Sequence, residues 1–127
     1  MIERITEIYV VLENRPSQIG ELCSKLAENE INIEAIGVFH ETAKLYVKNL
    51  NKALKVLSKE NYMTELRDVL LCEIENTPGA LADLTSKLGD EGINIEYCYA
   101  TLHPLGGKAA VVLDVSKIDE AEQILKG

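Results

Sequence analysis

The sequence predicts an α+β fold built from two β-α-β-β-α-β units, each an antiparallel sheet with both helices on one face. Three observations lead there. The chain repeats itself at a single offset, each copy alternates between strand and helix patterns, and no apolar stretch is long enough to cross a bilayer.

The repeat organises everything else. Glu13-Asn14-Arg15-Pro16 returns as Glu75-Asn76-Thr77-Pro78, Ser24-Lys25-Leu26 as Ser86-Lys87-Leu88, and Ile31-Asn32-Ile33-Glu34 as Ile93-Asn94-Ile95-Glu96. All share the offset of Pro16 from Pro78 (78 − 16 = 62), and no gap is needed from Met1/Met63 to Glu34/Glu96. Two such copies mean duplication of one supersecondary unit rather than a solenoid, with modules expected at residues 1–62 and 63–127. Charge is divided unevenly: residues 1–62 hold 9 acids and 8 bases, residues 63–127 hold 12 and 5.

Within copy one, Glu7–Glu13 is rich in β-branched and aromatic residues and reads as a strand. Ile19, Leu22, Cys23 and Leu26 then fall at i, i+3, i+4 and i+7, one stripe of a helix. Ile31–Phe39 reads as the second strand and Lys44–Lys48 as its hairpin partner, before Leu50, Ala53, Leu54 and Leu57 restore the helical stripe. Thr64–Asp68 leads into Val69–Ile74, which opens copy two. Copy two repeats the stripes with Leu81, Leu84, Leu88 and with Ile118, Ala121, Leu125, and has a longer hairpin turn, His103-Pro104-Leu105-Gly106-Gly107 against His40-Glu41-Thr42-Ala43. Its last helix is followed by no fourth strand, whereas residues 1–6 align with 63–68. The expectation is strand exchange, with Ile2–Thr6 lying beside the first strand of copy two.

Composition narrows the function. Of 127 residues 46% are apolar and 27% charged, with 21 acids against 13 bases and a formal charge of −8. The longest apolar runs, such as Ile8–Leu12 and Val69–Cys72, fall well below the roughly 18 residues that cross a bilayer, and the first residues show no export signal, so a cytoplasmic protein without a membrane role is expected. Cys23, Cys72 and Cys98 are odd in number and far apart, which suits buried reduced thiols rather than a disulfide framework or a zinc site. The acidic balance argues against nucleic acid. Lys44, Lys48, Lys52, Lys55 and Lys59 run at about helical spacing, as a solvated flank does.

The residues identical between copies cluster in the first strand-to-helix loop and at the start of the second strand. In copy two, Thr77 followed by Pro78 reads as a helix cap with proline in the first turn, and Gly79 keeps the mouth of the helix bare. Free amides at a helix N-terminus attract a carboxylate. Asn94, after the helix-ending Gly92, is expected at the same end of the sheet, with donor and acceptor for a zwitterion. Any β-α turn also wants Pro, Gly and Asn, so spacing alone leaves a purely structural reading open.

The pattern Glu75-Asn76-Thr77-Pro78-Gly79-Ala80-Leu81, then Leu84, Leu88 and Gly92-Ile93-Asn94-Ile95, resembles the signature of ACT domains, ferredoxin-like regulatory modules that bind amino acids. The likeness covers both copies, so the chain resembles a stand-alone tandem ACT protein. It implies paired modules with an amino acid at their interface, near the loop and the Asn. Carried over, it points to Asn76, Thr77, Pro78, Gly79, Ala80, Leu81 and Asn94, and in copy one to Asn14, Arg15, Pro16, Ser17, Gln18, Ile19 and Asn32. Copy one departs from the pattern: Ser17 replaces the glycine, and Glu30 stands where Gly92 does, with Asn29 as the expected left-handed residue. Arg15 offers a two-pronged contact to a ligand carboxylate or simply faces solvent beside the acids.

No constellation calls for catalysis, a metal or a cofactor. His40 and His103 both read as exposed turn residues, Glu13 and Glu75 as strand-end carboxylates, and Gly106-Gly107-Lys108 lacks the spacing of a phosphate loop. The first expectation is an amino-acid-binding regulatory protein without enzyme activity. The alternatives are a ligand-free regulatory subunit of a metabolic enzyme and an enzyme of the acylphosphatase type, whose arginine loop is not evident. A homodimer joined through sheets is expected.

Overall fold

The computed structural model describes residues 1–101 and 107–127. Six strands and four helices follow the order β1 (Ile2–Val11), α1 (Gln18–Glu28), β2 (Ala35–Phe39), β3 (Thr42–Tyr46), α2 (Leu50–Lys59), β4 (Thr64–Glu75), α3 (Ala80–Gly89), β5 (Ile95–Thr101), β6 (Lys108–Val115) and α4 (Ile118–Lys126). This is the α+β, β-α-β-β-α-β pattern twice over, as the periodicities predict. Of the longer turn anticipated at His103–Gly107, only Gly107 falls within the described residues.

The chain forms two compact units, Thr6–Arg67 and Met1–Ile5 with Asp68–Gly127, so that β1 and β4 each contribute one end to either unit. In the first unit the strand order is β2-β3-β1-β4. Ile8 lies opposite Leu45 and Val11 opposite Thr42, and Val11 N donates to Met63 O at 3.0 Å. In the second unit the order is β1-β4-β6-β5. There Leu70 lies opposite Leu113 and Glu75 opposite Lys108, and Glu73 N donates to Met1 O at 2.9 Å. Arg4, on the N-terminal residues of β1, reaches Asp119 of α4 and, at 3.4 Å, Asp68 of β4.

Each unit buries one apolar stripe of its helices on one face of its sheet. The repeat is visible in both cores: Ile8, Val10, Leu22, Leu26 and Ile31 in one, and Leu70, Cys72, Leu84, Leu88 and Ile93 at the equivalent positions in the other. Ile19 and Leu81, also on the predicted stripes, are 36% and 44% exposed, because they sit on the first helical turn beyond the edge of the core.

Several boundaries differ from the sequence pattern for physical reasons. β1 runs without a break from Ile2 to Val11, so the strands expected separately at Ile2–Thr6 and Glu7–Glu13 are one, its first residues partnered by β4. β2 begins at Ala35 rather than Ile31, because Ile31 still belongs to the helix exit, where its N–H donates to Leu26 O at 3.0 Å while its side chain enters the core. β3 is Thr42–Tyr46, joined to β2 by the two-residue connection His40-Glu41 with His40 at φ 52.

The left-handed residue after α1 is Glu30, φ 58, and not Asn29, φ −101. Asn29 instead donates its side-chain Nδ2 to Lys25 O at 2.8 Å, and Glu30 takes the conformation that Gly92 holds, φ 74, in the second unit. Glu30→Gly is therefore expected to stabilise the protein by about 0.5–1 kcal/mol, read from denaturant unfolding, because the αL conformation costs a side chain that much.

The cysteines also divide. Only Cys72 is buried, Cys23 is intermediate, and Cys98, expected inside, is exposed because β5 is an edge strand. Burial pushes the Cys72 thiol up to about 11. Native protein at pH 8 should react with a thiol reagent at Cys98 and leave Cys72 untouched until unfolding, since the thiolate fraction is then roughly one part in a thousand.

Candidate functional site

The two first strand-to-helix loops fold into the same bend. Ser17 and Gly79 hold left-handed conformations, φ 78 and φ 90, as N-caps of α1 and α3, and in neither does a side chain cap the helix. Glu21 N donates to Ser17 O and Asp83 N to Gly79 O, both at 2.9 Å, which starts each helix. The anticipated cap at Thr77 is thus displaced by two residues: Thr77 and Pro78 form the turn before the helix, with Ala80 N donating to Thr77 O at 3.2 Å. A Cβ at Gly79 meets nothing within 4 Å, so the glycine is favoured by its backbone angle and not by crowding.

An uncapped first turn leaves its amides without intrahelical partners and places the positive end of the helix dipole at the loop. Below this turn in the second unit lies a cavity of about 210 Å³, lined by Asn76 and Thr77 of the loop, Ala80 and Leu81 of the first turn of α3, and Ala100, Ala109 and Val111 of β5 and β6. The neighbouring groove, about 510 Å³, is bordered by Thr77, Pro78, Asp83 and Lys87 with Met1 and Glu73. Asn76 N donates to Gly107 O at 2.7 Å, which ties the loop to the start of β6. Lys108 Nζ stands 3.5 Å from Glu75 and 3.7 Å from Glu73, so the carboxylate before the loop is paired.

The first unit has a groove of about 400 Å³ at the matching place, lined by Glu13, Arg15, Gln18, Glu21, Tyr62 and Met63 among others. Arg15 is paired within the bend. Its Nε donates to Glu13 Oε2 at 2.7 Å, and that bond raises the guanidinium pKa. Gln18 Nε2 donates to Glu21 Oε2 at 3.3 Å. Burial, followed by Glu21, Glu60 and Cys23, raises the Tyr62 hydroxyl. Asn14 and Pro16 belong to this bend, and Ile19 lies in the first turn of α1. Val38 stands where the second unit has the smaller Ala100.

The expectation that the Asn before the second strand joins the loop at one end of the sheet is overturned by the strand register. Asn94 precedes β5, whose Ile95 lies opposite Val115, whereas the loop follows Glu75, opposite Lys108 at the other end of β6. Asn32 is likewise remote from its own bend: Ala35 lies opposite Tyr46, and Val11 opposite Thr42. A strand, a helix and a second parallel strand return the chain to its starting end, so the two motifs cannot meet within one unit. Each amide instead bonds the Glu two residues on, Asn94 Nδ2 to Glu96 Oε1 at 3.2 Å and Asn32 Nδ2 to Glu34 Oε2 at 2.6 Å. The cavity wall of Ala100, Ala109 and Val111 was missed by sequence reasoning; its signal is a run of small residues on β6, legible only once the register sets Ala109 opposite Ile74.

Among the described residues no cluster of His, Cys, Asp or Glu could hold a metal ion, and no helix is long and apolar enough to cross a membrane.

Residues 3–126 match the family described as an ACT domain pair. No curated protein matches the sequence. Among solved structures, a protein from Bacteroides thetaiotaomicron is 29% identical, with a TM-score of 0.88 over 98% of this chain and 88% of that one. The regulatory subunit of aspartate kinase from Thermus flavus is 20% identical, with a TM-score of 0.74 over 99% of this chain and 92% of the other. Aspartokinase III of E. coli, in complex with lysine and aspartate, is 15% identical with a TM-score of 0.63, and the match spans 97% of this chain but 30% of that one. The last two likenesses concern the fold.

Proposed function

The chain belongs to the ACT domain pair family, and from that premise we propose that it is a non-catalytic regulatory protein that binds a small amino acid at the Asn76–Leu81 bend. The observation that carries this reading is the uncapped helix start at Gly79 above a small-walled cavity. The ligand carboxylate faces the first-turn amides, where the dipole favours negative charge. Its side chain enters the space left by Ala100 and Ala109, which suits a compact ligand. The first unit is the weaker candidate, because Arg15 is engaged by Glu13.

Support comes from fold likeness to the aspartate kinase regulatory subunit and from an aspartokinase that holds lysine. The regulated partner in this reading is a metabolic enzyme, and the working state a homodimer in the cytoplasm. A second reading, a regulatory subunit without ligand, is favoured by one feature: the edge strand β2 exposes Ile36, Val38 and Phe39 at 38%, 42% and 42%.

Isothermal titration with each of the twenty amino acids tests the first reading. One or a few should bind, and Gly79→Val should weaken binding by about tenfold or more, because a β-branched residue resists φ 90 and moves the bend. Silence from all twenty overturns it.

A further inference from the structure

We propose that helix α2 docks on the acidic helix layer of the Asp68–Gly127 unit of a second copy of this chain. α2 and α4 are the second helices of the two repeats, yet they carry opposite charge. α2 holds Lys52, Lys55 and Lys59 with no acid, whereas α4 holds Asp119, Glu120 and Glu122 against Lys126. Burial of Ala53 and Leu57 turns the three lysines outward, where all are exposed along one stripe. The ion pairs of Lys25 with Glu60 and of Lys48 with Glu34 leave them out.

The complementary surface is on the same molecule. Residues 1–5 and 68–127 hold 12 acids and 5 bases, against 9 and 8 in residues 6–67. α3 packs on α4, which places Asp90 and Glu91, just past the end of α3, in the same layer as Glu120, and all three are exposed. Asp119 and Glu122 are partly offset by Arg4 and Lys126 and add to the field at longer range. A basic stripe on one copy facing an acidic layer on the next is a heterologous contact that leaves one face of each kind free, so association grows with concentration. Exposed charges act over about 30 Å at 10 mM salt and about 3 Å at 1 M. A dimer joined along strand edges by backbone hydrogen bonds does not share that salt response.

Sedimentation velocity on the full chain at those two salt concentrations tests the proposal, with the weight-average mass as readout. At the higher protein concentrations the mass should be about twofold or more greater at low salt than at high salt. Lys52→Gln/Lys55→Gln/Lys59→Gln should reduce that gain, and Lys52→Glu/Lys55→Glu/Lys59→Glu should abolish it, with unchanged circular dichroism showing that both variants fold. Equal masses at the two salts, or a charge-reversed variant that associates like the parent, overturns the proposal and leaves the stripe to an acidic partner of another kind. Neither outcome bears on amino acid binding at the Gly79 bend.

Discussion

Removal of Met1–Ile5 is expected to lower the unfolding temperature by roughly 10 °C or more, followed by calorimetry. These residues complete the sheet of the unit formed with Asp68–Gly127. Ile5 is 5% exposed, Ile2 packs against that core, and Met1 O receives the N–H of Glu73. Loss of the two isoleucines alone costs about 1.5–3 kcal/mol for each side chain fully buried, and less for Ile2, which is partly so. Truncation also uncovers the backbone of β4 and frees Asp119 from Arg4. Glu3→Ala, at an exposed position of the same segment, should leave the transition within about 0.5 kcal/mol of the parent. An unchanged melting point after truncation would refute the exchange of strands between the repeats.

The second large effect concerns the paired core leucines. Leu26 and Leu88 occupy the same place in the two repeats, are both 0% exposed, and each anchors the last turn of a helix on its sheet. Leu26→Ala and Leu88→Ala should each destabilise by about 2–5 kcal/mol in denaturant unfolding, the lost transfer energy plus a residual cavity. Ile19→Ala and Leu81→Ala, on the same stripes but 36% and 44% exposed, should cost well under half as much. Equal costs at all four positions would mean that the helices do not dock through the faces described here.

Why the helices and the bends were legible and the far wall of the cavity was not follows from the range of the forces involved. Leu22, Leu26, Leu84 and Leu88 announce their burial through spacing alone, because helix period and hydrophobic burial act within a few residues. The bend at Ser17 and Gly79 was legible as a loop, yet its N-cap lay two residues later than Thr77 suggests, since a proline turn competes with proline in the first helical turn. The exit residue Glu30 shows the limit of propensity: Asn29 is the better left-handed residue, but its amide is worth more bonded to Lys25 O. Arg15 read either as a ligand contact or as a solvent-facing residue beside the acids, and its bond to Glu13, two residues away, fits the second. Asn94 read as a neighbour of the loop only until strand direction was applied.

By itself the sequence determined that there are two copies of one β-α-β-β-α-β unit, which faces of their helices are apolar, and where each chain bend falls. These are local properties, set by side-chain period, by proline and by glycine. Only the tertiary structure decided that Ala100, Ala109 and Val111 wall a cavity under the first turn of α3, and that the two asparagines lie at the far end of their sheets. Those depend on strand register and direction, which join residues tens of positions apart through backbone hydrogen bonds that every residue type makes alike.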